Sequence, residues 1–176
     1  GGYEMKLVIC EKPSVAKAVA SALGVTSRAD GCFEGNGLIV SWCVGHLVSP
    51  MDAAGYDPGY KKWKYDDLPI LPEPFRYVLA KDKEDAFQNL KRLMDREDVT
   101  ELVNACDAGR EGELIFRLVY EMAGCQKPFS RLWISSMEDA AIREGFADLR
   151  PGAEYDPLYQ SALCRQKADW LIGINA

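Results

Sequence analysis

Acidic side chains are concentrated in one short segment of this sequence. Asp107, Glu111 and Glu113 directly follow the apolar run at residues 102–106 and precede an amphipathic run. This pattern predicts a strand that turns into a helix, and open α/β folds place their ligands at that end of a strand. A hard cation such as Mg²⁺ binds one or two carboxylates together with water and substrate phosphate. The segment therefore predicts a divalent-metal site.

Another acid, Glu11, distinguishes the metal interpretation from a simpler one. Acids in the first turn of a helix also stabilise its dipole, which accounts for Glu111 and Glu113 without any metal. Glu11 ends the predicted strand at residues 6–10, in a different part of the chain. Parallel strands joined by right-handed crossovers end at the same edge of a sheet, so we expect Glu11 beside Asp107. A pair of this kind favours the metal interpretation.

Alternating strand and helix patterns predict an α/β fold with a mostly parallel sheet and helices on both faces. Strands are predicted at residues 6–10, 38–44, 102–106 and 131–134, and residues 75–79 are expected to rejoin the sheet. Helices are predicted after the capping residue Ser14 and at residues 82–94, 111–122, 138–149 and 155–174. Residues 55–74, rich in Pro, Gly, Lys and aromatic side chains, are expected to form an extended excursion.

A domain boundary is predicted near Pro151. The sequence Arg-Pro-Gly at residues 150–152 interrupts the regular pattern. The helix that follows carries an apolar stripe for which the sequence offers no partner element. We therefore expect residues 1–150 to form one domain and residues 151–176 to begin the next.

Composition excludes several classes of protein. The chain of 176 residues, 48% hydrophobic and 27% charged, is ordinary for a single globular domain. No apolar run approaches the roughly 20 residues of a membrane span, and the start lacks the features of a signal peptide, so we expect a cytoplasmic location. The net charge of −6 argues against coating of duplex DNA by bulk electrostatics, although a local basic groove remains compatible with it. The six cysteines lack Cys-x-x-Cys spacing and are expected to be buried thiols.

Several short motifs together resemble one family. They are EKPS at residues 11–14, GHL at 45–47, DAGREGE at 107–113, RLWISS at 131–136 and RQKADWLIGIN at 165–175. In that order they resemble the start of the type IA DNA topoisomerases, in particular the bacterial topoisomerase III kind. The resemblance covers almost the whole chain. It implies a Toprim domain, a Rossmann-like, four-stranded parallel sheet between helices, followed by the first helix of the next, helical domain.

The resemblance also implies an activity and roles for the acids. In this family a tyrosine from a later domain attacks a phosphodiester of single-stranded DNA, stays joined to the 5′ phosphate during strand passage, and is displaced without ATP. Glu11 would act as acid and base toward the leaving oxygen or bind metal, and Asp107 and Glu111 would hold Mg²⁺. Lys12 and Arg110 would stabilise the phosphate, although Arg110 could instead pair with Glu113.

One position departs from the family pattern. Many relatives have Asp-x-Asp where this chain has Asp107-Ala-Gly109, so one acid is missing. Weaker metal binding, or a water molecule at that position, would follow from the loss. Because some topoisomerase III-like sequences share the glycine, the resemblance implies a trait of a subfamily.

DNA contacts are the second set of implied roles. The residues concerned are His46, Trp63, Arg131, Arg165, Asp169 and Asn175. Simpler explanations stay open for several of them. His46 also fits an ordinary loop histidine, and Trp63 fits a side chain that covers the core. Arg165 and Asp169 lie one helical turn apart and fit an intrahelical ion pair.

The implied partners are single-stranded DNA and the remaining domains of the same parent chain, with no membrane and no obligate protein partner, in the bacterial cytoplasm at the nucleoid. None of the eight tyrosines lies in the catalytic-tyrosine motif, so we expect no strand cleavage by this chain alone. Two alternatives remain. A Toprim nuclease or primase-related enzyme would use the same acids without a covalent protein–DNA link, and a non-catalytic α/β binding module would show no stability response to Mg²⁺.

Overall fold

A seven-stranded sheet forms the centre of the chain in the computed structural model, which describes residues 4–52 and 76–175. Its strands are β1 (Met5–Cys10), β2 (Ser27–Ala29), β3 (Cys32–Gly35), β4 (Leu38–Trp42), β7 (Val99–Ala105), β8 (Phe129–Arg131) and β9 (Arg150–Pro151). Two further strands, β5 (Val48–Pro50) and β6 (Tyr77–Leu79), pair with each other in a separate antiparallel sheet. The order in the large sheet is β2-β3-β4-β1-β7-β8-β9.

Four central strands, β4, β1, β7 and β8, run parallel, while β2, β3 and β9 add antiparallel edges. In the register, Leu7 of β1 lies between Ile39 and Leu102, and all three are fully buried. Buried parallel strands of this kind are almost continuously apolar because helices cover both faces. Cys10 pairs with Ala105, so β1 and β7 end side by side.

Helices cover both faces of the sheet as predicted. They are α1 (Pro13–Ala22), α2 (Glu84–Met94), α3 (Arg110–Met122), α4 (Asp139–Ala147) and α5 (Asp156–Asn175), the last preceded by a 3₁₀ turn, Gly152–Tyr155. Val8 of β1 shares one apolar core with α1 and α4, through Val19 and Ile142. Ile9, on the opposite face of β1, shares another core with α2 and α3, through Leu90 and Leu118 among others.

The last helix has a partner along its first half. Tyr159 and Ala162 are buried in the same core as α3. Arg117 of α3 donates to Asp156 at 2.8 Å and to the carbonyl of Gly152 at 2.9 Å. The expectation of an unmatched apolar stripe is therefore wrong for this half, whereas Ile172 near the end is 64% exposed. The division at residue 150 stays a prediction.

Local expectations differ from the structure in four places. Helix α1 begins at Pro13, so Lys12, not Ser14, occupies the N-cap. Strand β6 joins β5 instead of the large sheet. The strand predicted at residues 131–134 ends at Arg131, and the β2–β3 hairpin was not predicted. The predicted excursion at residues 55–74 lies outside the described residues. No helix of the described ranges is long and apolar enough to cross a membrane.

Candidate metal and nucleic-acid site

The acidic segment forms a tight turn between β7 and α3, and two glycines account for its shape. Gly109 occupies the N-cap of α3 with φ +155°, a conformation that side chains disfavour. A Cβ at Gly112 would clash with the backbone of Asp107, which packs against the first turn of the helix. The backbone at Gly109 thus gives a physical reason for glycine where an Asp-x-Asp pattern would place an acid.

Glu11 and Asp107 meet at the carboxyl ends of β1 and β7, as the sequence predicted. Burial, and then a hydrogen bond and charge repulsion from Asp107, raise the pKa of Glu11. The Glu11 Oε1 atom is shielded from solvent and has no hydrogen-bond partner within the described part of the chain. A buried carboxylate oxygen without a partner is costly, and a bound cation would compensate it. Two acids and an unpartnered oxygen therefore fit a hard cation.

Glu111 does not join this pair. Its carboxylate contacts the Nε2 atom of His46, in the loop between β4 and β5, and remains 71% exposed. Within residues 4–52 and 76–175, no group of three or more metal-binding side chains is assembled. Of the three predicted carboxylates, Glu11 and Asp107 are therefore together, whereas Glu111 contacts His46 instead.

A groove that Glu111 lines also contains four of the other predicted residues. The groove lies between the β4–β5 loop, the start of α3 and the middle of α5, with a cavity of about 260 Å³. Its lining includes His46, Arg110, Glu111, Arg165 and Asp169. Arg110 and Arg165 give it cationic donors, although the chain as a whole is acidic. A negatively charged, extended ligand such as a nucleic-acid strand matches these donors.

Buried charges beneath the turn hold the turn in place. Glu113 is fully buried and pairs with the Nε atom of Arg131 at 3.0 Å and with that of Arg117 at 2.8 Å. Asn104, also fully buried, donates to Glu113 at 3.2 Å. Arg131 donates to the Asp107 carbonyl at 2.6 Å, so the guanidinium ties the acidic turn to β8.

This network corrects two predictions. Arg131 is fully buried, pairs with Glu113 and donates to the Asp107 carbonyl, so the predicted DNA contact is wrong for this structure and the residue supports the turn. Burial lowers the pKa of Arg131, while the Glu113 carboxylate opposes that effect. Arg110 is exposed and Glu113 pairs elsewhere, so the Arg110–Glu113 alternative is also wrong. Asn104 and Arg117 were not predicted. Asn104 is a polar residue within an apolar strand, and Arg117 follows Glu113 by four residues, so both could have been recognised from the sequence.

Three further predicted residues are Lys12, Trp63 and Asn175. Lys12 is exposed at the N-cap of α1, one residue after Glu11. Trp63 falls outside the described residues. Asn175 ends α5, and its side chain is likewise outside the described part of the chain.

The chain belongs to the Toprim domain family, which matches residues 6–137. Its sequence is similar to the DNA topoisomerase 3 of Bacillus subtilis (47% identical over 170 residues) and that of Shouchella clausii (46% over 170 residues). Each match covers 97% of this chain but only 23% of the relative, so the chain spans about a quarter of the length of these proteins.

A solved structure has the same fold. Full-length topoisomerase I from Thermotoga maritima matches 94% of this chain and 24% of its own, with a TM-score of 0.63 and 22% identity. At that identity the likeness concerns the fold alone. It agrees with the α/β sheet flanked by helices that the sequence predicted.

Proposed function

We propose that this chain is the Mg²⁺-binding Toprim part of a type IA DNA topoisomerase of the topoisomerase III kind. The observation that carries the proposal is the Glu11–Asp107 pair, with an unpartnered buried oxygen, at the edge where parallel strands end. Membership of the Toprim family and similarity to DNA topoisomerase 3 along 97% of the chain support it. The parent protein would cleave one DNA strand, pass another strand through the break and religate it.

Glu11, Asp107 and Glu111 would hold the cation. Glu11 and Asp107 are already adjacent, and Glu111 lies in the first turn of the helix that packs against the Asp107 backbone. When bound, Mg²⁺ neutralises charge on the phosphoryl oxygens and on the leaving oxygen. Gly109 contributes no carboxylate, so water or phosphate oxygen would complete the coordination shell.

Glu11 is suited to proton transfer at the scissile phosphate. Burial and the neighbouring Asp107 raise its pKa, and its protonated form would donate to the departing 3′ oxygen during cleavage. The resulting carboxylate would take the proton back from the 3′ hydroxyl during religation. Lys12, exposed beside Glu11, would stabilise negative charge on the phosphate as the bonds change.

The groove would carry the DNA strand to these acids. Arg110 and Arg165 line it from two different helices, α3 and α5. Phosphate contacts from such side chains position a strand without reading its sequence. Asp169, on the same wall as Arg165, would orient that guanidinium toward the strand. Single-stranded DNA is therefore the proposed ligand.

The attacking tyrosine would come from another part of the parent protein. This chain spans about a quarter of the length of its relatives, and none of its tyrosines lies in the family's catalytic motif. We expect the isolated chain to leave supercoiled DNA unchanged in Mg²⁺. Reproducible relaxation by the purified chain would overturn this part of the proposal.

The test is strand cleavage by the full-length parent protein carrying Glu11→Gln or Asp107→Asn. An end-labelled, single-stranded oligonucleotide reports both the cut and the covalent protein adduct on a denaturing gel. Loss of a group that stabilises the transition state costs on the order of 100- to 1,000-fold in rate, and we expect each variant to show that loss.

Glu97→Gln is the matched control, because Glu97 is exposed at the opposite edge of the sheet, just before β7. We expect it to cleave like the parent. Cleavage at parental rates by Glu11→Gln would contradict the proposal. Metal-dependent nicking that leaves no covalent adduct would instead indicate a nuclease.

A further inference from the structure

His46 reaches the site from a firmly held loop. The amide of Gly45 donates to the carbonyl of Glu11 at 3.2 Å, and Gly45 has φ +64°. On the other side Leu47 is fully buried, and its carbonyl accepts a hydrogen bond from Ala80 at 2.8 Å. The backbone of His46 is thus fixed between two anchors, close to the end of β1.

The imidazole of His46 contacts the side chain of Glu111. Nε2 contacts Oε1 of that carboxylate, on the groove side of α3. Glu11 and Asp107 meanwhile interact with each other. Among the described residues, no third metal-binding side chain joins them. The His46–Glu111 contact therefore coincides with an incomplete metal site.

Glu111 lies in the first turn of α3, close in the chain to Asp107. The residue that follows it, Gly112, packs so closely on the Asp107 backbone that a Cβ would clash there. Asp107 and the first turn of α3 are therefore in direct contact. Because the Glu111 side chain is mostly exposed, neighbouring side chains leave it room to rotate about its own bonds.

We propose that His46 is a positioning residue that holds Glu111 outside the metal site, a contact named here the His46 latch. The inference rests on the proposed function, since the metal site is the one assigned there. A DNA phosphate accepts a hydrogen bond from imidazole as a carboxylate does, and Arg110 and Arg165 line the same groove. Arrival of the strand exchanges one acceptor for another at His46 and releases Glu111 to join Glu11 and Asp107. DNA binding and metal binding then reinforce each other.

Mg²⁺ titration by calorimetry on this chain tests the latch. His46→Ala frees Glu111, and we expect it to bind Mg²⁺ roughly two- to five-fold more tightly than the parent, the factor typical of an exposed side-chain contact. His46→Gln keeps a hydrogen-bond donor for Glu111 and should bind like the parent. The tightening should vanish in the double variant His46→Ala/Glu111→Gln. Equal or weaker binding by His46→Ala overturns the latch, as does the absence of binding by that variant at millimolar Mg²⁺.

A second readout follows the imidazole itself. The chain contains a single histidine, so ¹⁵N-labelled histidine gives one Nε2 signal without assignment. Adding Mg²⁺ with a short single-stranded oligonucleotide should shift that signal, and Glu111→Gln should remove the starting interaction. An Nε2 signal identical in the parent and Glu111→Gln overturns the latch.

Asp107→Asn separates the two proposals. If this variant binds Mg²⁺ as tightly as the parent, the proposed metal site fails. If it loses Mg²⁺ while His46→Ala binds no more tightly than the parent, the metal site stands and the latch fails.

Discussion

Replacement of the buried Arg131 by methionine should greatly lower the free energy of unfolding. It should have little effect on contacts at the protein surface. Arg131 pairs with the Glu113 carboxylate at 3.0 Å and donates to the carbonyls of Asp107 at 2.6 Å and Leu132 at 3.2 Å. Methionine keeps much of the volume but removes every donor. Glu113 keeps the 2.8 Å contact with Arg117, so its charge is not left wholly unpaired.

The magnitude follows from the burial of both partners. Removing one member of a buried ion pair costs about 3–5 kcal/mol, mainly because the remaining charge stays desolvated. A loss of that size is a large part of the roughly 5–15 kcal/mol that stabilises a typical domain. For a chain of this length it corresponds to a fall in melting temperature of about 6–20 °C. Arg131→Met should therefore remain folded but with a markedly reduced free energy of unfolding.

Urea unfolding followed by far-ultraviolet circular dichroism measures this loss, and an unchanged denaturant slope confirms that the same fold is compared. Arg143→Met, an exposed position on α4, is the matched control and should stay within about 0.5 kcal/mol. The double variant Arg131→Met/Glu113→Gln should be less destabilised than the sum of the single variants, by about 0.5–3 kcal/mol. A loss of unfolding free energy below about 1 kcal/mol for Arg131→Met, together with weakened DNA binding, would refute the structural role. It would support the predicted DNA contact instead.

Three further predictions concern the turn, the groove and the thiols. Gly109→Ala forces a side chain into a backbone conformation with φ +155° and should lower the free energy of unfolding by about 1–3 kcal/mol; unchanged urea unfolding would contradict the strain. Arg165→Ala should reduce the salt slope of single-stranded DNA binding by about 0.7, measured by fluorescence anisotropy, while Arg143→Ala leaves it unchanged; equal slopes for both variants would exclude the groove. A hydrogen bond with a neighbouring thiol, together with burial, raises the pKa of Cys106, so iodoacetamide at mildly alkaline pH should label exposed Cys164 and spare Cys106 until the chain unfolds, as mass spectrometry would report.

The central strands and the Glu11–Asp107 pair could be predicted because both follow from local patterns and one topological rule. Apolar runs identify buried parallel strands, and parallel strands with right-handed crossovers end together. In the structure Cys10 pairs with Ala105, so these two strands end side by side as the rule requires. The hairpin at residues 27–35 could not be predicted in the same way, because its strands are short and β2 is exposed.

The buried charges could not be predicted because burial is a property of the tertiary structure. Glu113 looks in the sequence like one more acid at a helix start, and Arg131 looks like a basic residue in a DNA-binding motif. Their pairing depends on β8 lying next to β7 and on the first turn of α3 facing inward. The partner of α5 was unpredictable for the same reason, since Tyr159 and Ala162 are buried only against a distant helix.

The position of Glu111 shows a further limit of motif-based prediction. The motif places this residue among the metal ligands, but no sequence pattern specifies which rotamer it adopts. The contact with His46 arises from a loop more than sixty residues earlier in the chain. A motif therefore identifies the residues that can form a site, and the structure identifies which of them already do.

Mn²⁺ is the most direct probe of the central claim, that the edge formed by Glu11 and Asp107 is a metal site. In the ¹⁵N–¹H spectrum of this chain, substoichiometric Mn²⁺ should broaden the amide signals of residues 11–12 and 107–111 first, because they surround the proposed site. Excess Mg²⁺ should restore those signals, and Asp107→Asn should abolish the effect. Broadening centred on another part of the chain, or unchanged by Asp107→Asn, would contradict the account.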